Sequence, residues 1–114
     1  MAKKQQENYL ERVPVRKGKF RWTEDENSLV TIEIDNKGFF NRLFQLIAKK
    51  PKVSYIHLDE HGSFVWKAID GERDIIEIGE LVEEHFGEKA NPVYERLTQY
   101  FVMLQNAGFI EFKK

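Results

Sequence analysis

Apolar and polar positions change rhythm several times along the 114 residues, and each rhythm predicts an element. Residues 20–22 alternate apolar and basic side chains, the period of a strand with one buried face. Residues 29–34 are rich in β-branched side chains with partial alternation and predict a second strand. The polar run 23–28 between them makes the pair a hairpin. Beyond Asn36-Lys37-Gly38, apolar residues fall at 39, 40, 43, 44, 46 and 47. That spacing predicts an amphipathic helix over 39–50, ended by Lys49, Lys50 and Pro51. Residues 52–58 return to strand chemistry, with Val53, Tyr55 and His57 on one face and Ser54, Ile56 and Leu58 on the other.

The second half is punctuated by helix caps. Asp59 is placed to cap a short helix carrying Phe64, Val65, Trp66 and Ile69, which stops at Asp70-Gly71. Asp74 and Glu77 form a capping box for a helix holding Ile75, Ile78, Leu81, Val82 and Phe86, closed by Gly87. Asn91 caps a third helix with Pro92 at its first position. Val93, Tyr94, Leu97, Tyr100, Phe101 and Leu104 mark its apolar stripe, and Gly108 ends it. Residues 109–112 alternate and predict a short terminal strand. The expectation is an α+β domain over 13–114 behind a flexible polar lead, 1–12. A three-stranded antiparallel sheet precedes a three-helix bundle, with one extra helix between the second and third strands. No repeat, low-complexity tract or domain boundary interrupts it. A strand end, capped helix, glycine turn and second capped helix, in that order, are the parts of a winged helix-turn-helix.

A single domain of this length buries about two-thirds of the surface its unfolded chain exposes, so it folds without metal or disulfide. Cysteine is absent, which removes disulfides, thiol chemistry and cysteine-ligated zinc together. The first residues lack the apolar core of a signal peptide, and no apolar run approaches the ~20 residues of a membrane span. The expectation is a cytoplasmic protein with no membrane partner. Net charge is −1, but it is blocked: +5 over 1–22, −5 over 23–36, +5 over 37–52 and −8 over 59–88. Such blocks are ordinarily solvated faces.

Candidate catalytic chemistry is thin. His57 and His61 have ligand-like spacing, but a helix capped at Asp59 puts His57 on a strand and breaks the geometry. His85 falls late in a helix, where a surface histidine suits the C-terminal dipole. The acids at 24–26 and 83–84 fall in a turn and on a helix face, without the cleft that paired catalytic carboxylates need. There is no phosphate loop and no nucleophile elbow. The sequence points away from an enzyme and calls for no metal and no cofactor.

With these motifs placed, the chain resembles the PqqD family. The resemblance rests on Leu58-Asp59, Val65-Trp66, Ile69-Asp70-Gly71, Glu77-Ile78 and Phe86-Gly87. Leu97 and Leu104-x-x-x-Gly108-Phe109-Ile110 complete it. It covers roughly 53–112 and implies a non-catalytic recognition element for ribosomally made, modified peptides. Such an element holds the leader of a precursor peptide and presents the core to a maturation enzyme, often a radical enzyme. The leader adds as a strand beside the third strand, near the last long helix. Carried to this chain, the peptide-binding residues are Val53, Tyr55, Ile56 and His57, with Tyr94, Leu97, Phe101 and Leu104 opposite. An edge strand offering backbone groups, with pockets for alternate side chains, is a sound way to hold an extended peptide.

Two other functions compete. A DNA-binding regulator would read the groove with helix 92–107, which carries Arg96 against Glu95 and follows the −8 block. That layout argues against nucleic acid, because phosphate contacts need basic surface on the reading element. An oligomerisation module would act through helix 39–50. Its Phe40, Phe44 and Ile47 belong to an apolar face wider than a narrow stripe, so core packing is the first reading and a homodimer or partner surface the second.

Overall fold

The computed structural model describes residues 9–35 and 53–113. The helix expected over 39–50, with Phe40, Phe44 and Ile47, lies outside them. The elements run β1 (Pro14–Arg16), β2 (Arg21–Glu24), β3 (Val30–Asp35), β4 (Val53–His57), α1 (Glu60–Ala68), α2 (Ile75–Phe86), a 3-10 turn (Gly87–Ala90), α3 (Val93–Asn106) and β5 (Ile110–Phe112). The α+β class, the three-stranded antiparallel sheet and the three helices agree with the sequence pattern. Two sheets form among the described residues, however, where the pattern predicts one. One has the order β2-β3-β4 and the other pairs β1 with β5. The short terminal strand expected over 109–112 forms as β5, and its partner β1 is the strand that the pattern does not predict.

The chain divides into two compact units, Gly18–Ser63 and Met1–Lys17 with Phe64–Lys114. In the first, the sheet unit, β2 and β3 form the expected hairpin with Trp22 opposite Ile32 and Arg21 opposite Glu33. β2 continues through Thr23 and Glu24, into the stretch whose polarity suggested a turn. Asp25 makes the turn, its Oδ1 accepting from the backbone N–H of Asn27 and of Leu29. Val30 and Ile32 are fully buried and Phe20 nearly so. The buried Ser63 ties the unit together: its hydroxyl accepts from the Val30 N–H at 2.8 Å and donates to the Leu58 carbonyl at 3.3 Å.

The second unit is helical. α1 enters it at Phe64, and its cap belongs to the first unit, where Asp59 Oδ1 accepts from Gly62 N–H at 2.8 Å. After α1, Asp70 Oδ1 accepts from the N–H groups of Glu72 and Arg73, which together hold its carboxyl below the usual range. Gly71 follows at φ 81, a left-handed value that glycine adopts without penalty. Asp74 and Glu77 form the reciprocal capping box of α2, and Gly87 ends that helix. α3 starts at Val93 with Pro92 as its cap residue, one place later than the sequence pattern predicts, and the 3-10 turn fills the gap.

Trp66, Ile69, Ile75, Ile78, Val82, Leu97 and Phe101 have no exposed surface. The Trp66 ring meets Phe109 edge-on at 6.4 Å, and the Arg16 guanidinium lies 5.9 Å from its centre. Burial pushes Arg16 below its ordinary pKa, and the Asp70 carboxylate opposes the shift. Residues 9–12, part of the polar lead, also make contacts: Tyr9 packs edge-on against Phe112, and the Arg12 carbonyl accepts from Ile75 N–H. Among the described residues no helix is long and apolar enough to cross a membrane.

Candidate functional site

Among the described residues β4 is an edge strand. It pairs with β3 on one side, and among the described residues no strand pairs with the other. Register decides what the open side offers. Thr31 stands opposite His57, Ile32 opposite Ile56 and Glu33 opposite Tyr55. One step further along, Leu58 N–H donates to the Val30 carbonyl at 2.9 Å. Antiparallel pairs alternate between exchanging and not exchanging hydrogen bonds. Leu58, Ile56 and Ser54 therefore turn their backbone groups toward β3, while His57, Tyr55 and Val53 turn theirs to the open side. A hydrogen bond between Thr31 Oγ1 and His57 Nδ1 at 2.9 Å fits this assignment, because side chains approach most closely at pairs that share no backbone bond.

The same register sorts the side chains. Trp22, Ile32 and Ile56 form one row across the sheet, with Ile32 buried and Ile56 half-buried. The opposite face carries Arg21, Glu33 and Tyr55 in one row and Thr23, Thr31 and His57 in the next. His57 is exposed, and Tyr55 is 59% exposed, the most of any large apolar side chain described.

The helix residues that the resemblance assigns to the peptide have different surroundings. Leu97, Phe101 and Leu104 are buried, so their side chains present no surface to an arriving ligand in this conformation. Tyr94 is half-buried, and its hydroxyl donates to the Ile76 carbonyl at 3.2 Å. Burial, joined by Glu83, Glu80 and Asp74, raises its pKa and keeps the phenol a donor. Its ring lies against Gly79, where a Cβ would overlap it. Gly79 thus permits a close approach of α2 to α3, a role that helical periodicity does not reveal.

What α3 exposes instead is a stripe one position round. Val102 is 40% and Met103 54% exposed. They line a shallow surface pocket with Thr98, Gln99, Asn106 and Ala107. The sequence pattern places neither on the apolar stripe, and the only clue was an adjacent Val-Met pair off its period. Among the described residues no group of three or more His, Asp and Glu side chains is disposed to share a metal ion.

The span 49–110 matches the family model of Coenzyme PQQ synthesis protein D (PqqD), more than half of the chain. It takes in β4, all three helices and the first residue of β5, and leaves out β1, β2 and β3. No curated protein and no solved structure matched. With β4 and its cap-delimited helices inside the matched span, the chain belongs to the PqqD family.

Proposed function

We propose that this protein is a non-catalytic accessory that holds the leader of a ribosomally made precursor peptide for a modifying enzyme. The observation that carries the reading is the open side of β4, where the backbone groups of Val53, Tyr55 and His57 have no strand to pair with among the described residues. An extended peptide satisfies those groups and gains main-chain hydrogen bonds at every second residue. Membership of a family named for coenzyme synthesis supports an accessory role in making a peptide-derived product. The scaffold we propose is a winged helix-turn-helix, in which α1, the Gly71 turn and α2 form the helix-turn-helix.

Charge favours peptide over nucleic acid. Glu77, Glu80, Glu83 and Glu84 are all exposed on α2, a surface that repels phosphate. Arg96 on α3 spends its guanidinium on the Lys89 carbonyl at 3.0 Å. Titrating isotope-labelled protein with the leader of a precursor encoded beside its gene should move the amide signals of 53–57 before any others. A saturating leader that leaves those amides unmoved would show that the site is elsewhere.

A further inference from the structure

We infer that the docked strand is selected by the outer face of the sheet, with His57 reading a carboxylate side chain; this deepens the strand-addition reading and rests on it. A strand added beside β4 lengthens each cross-strand row by one residue on the same face. The row Arg21, Glu33, Tyr55 then ends in a residue beside the exposed tyrosine ring, and the row Thr23, Thr31, His57 in a residue beside the imidazole.

The imidazole is already half committed. Thr31 Oγ1 lies 2.9 Å from Nδ1 and fixes the ring, while Nε2 has no partner among the described residues. The bond can run in either direction, and where the Thr31 hydroxyl donates to Nδ1 the proton of the neutral ring sits on Nε2. In the charged ring both nitrogens carry one. In these two states Nε2 is a donor, and a carboxylate, the strongest acceptor that a peptide side chain supplies, draws the ring into them. The sheet's own acids do not fill the place. Glu33 belongs to the neighbouring row, and Asp59 Oδ1 is taken by Gly62 N–H. The ligand is thus an extended segment with Asp or Glu beside His57. Two residues away, beside Tyr55, it carries an apolar or aromatic side chain.

The test is a selection from a displayed random-sequence peptide library against the full chain. Binders should share an Asp or Glu two residues from an apolar or aromatic side chain. Replacing that acid by Leu in a selected peptide should weaken binding about two- to fivefold, the range of an exposed cross-strand pair. His57→Leu should abolish the discrimination between the acid and the Leu peptide. Thr31→Val, which frees the ring, should reduce it. The inference falls if His57→Leu still prefers the acid, if Lys or Ser is selected at that place, or if no side chain is preferred there. A library yielding no peptide that shifts the amides of 53–57 would remove the strand-addition reading as well, a different result from binding without preference.

Discussion

The two units of this chain spend their residues differently. In the helical unit, apolar side chains from all three helices are buried, and α2 is closed by cap chemistry at both ends. In the sheet unit the buried apolar side chains among the described residues are Phe20, Val30 and Ile32, and on the opposite face Arg21, Thr23, Tyr55 and His57 are exposed. Burial at about 25 cal/mol per Å² makes the helical unit the source of stability. Among the described residues the sheet unit keeps one edge of β4 unpaired, which adds little to stability and, in the proposed function, serves recognition. Stability and recognition should therefore respond to different substitutions.

The largest expected effect tests that division directly. Phe101→Ala empties a fully buried site and should cost about 3–5 kcal/mol in denaturant unfolding. Peptide affinity per folded molecule should not change; a matching loss of affinity would make Phe101 a contact and break the division. Next comes the sheet unit's own tie. Ser63→Ala leaves the buried Val30 N–H without its acceptor and should cost about 1–3 kcal/mol. Amide exchange at Val30 should accelerate, and an unchanged rate would mean that another group satisfies it. Asp74→Ala removes half of the capping box and should cost about 0.5–2 kcal/mol, read as a lower thermal midpoint by circular dichroism. The smallest change in stability should come from Tyr55→Ala, within about 0.5 kcal/mol of the parent. It should nonetheless weaken peptide binding more than Asp74→Ala does. Equal binding by the two variants would erase the distinction between the units.

What could be read in the sequence follows from how local each cause is. Asp59, Asp74 with Glu77, and Gly87 bond to neighbours within a turn, so their spacing carries the whole signal. β4 was visible as an alternation, but its edge position depends on which strands pair, which alternation does not state. β1 escaped because three residues beginning with proline make no pattern, and its partner lies at the other end of the described chain. Ser63 and Gly79 owe their roles to Val30 and Tyr94, far away in sequence. For the site, the β4 residues were legible as a half-exposed strand. On α3, periodicity marks Leu97, Phe101 and Leu104 as apolar without saying whether an apolar side chain meets the core or a ligand, and these three are buried.

The pairing of β1 with β5 has a consequence for how fast parts of the molecule come and go. Joining Arg16 to Ile110 closes a loop roughly sixteen times longer than joining Glu24 to Val30, which costs about 2.5 kcal/mol more chain entropy when nothing else is formed. The hairpin can therefore assemble early from its own neighbours, whereas this clasp waits until the intervening helices have shortened the path. Three residue pairs hold it, flanked by the backbone bonds Lys17 N–H to Phe109 and Lys113 N–H to Val13. Contacts formed last and in small number open first, so those two amides should exchange with solvent sooner than the Leu58 amide of the three-stranded sheet.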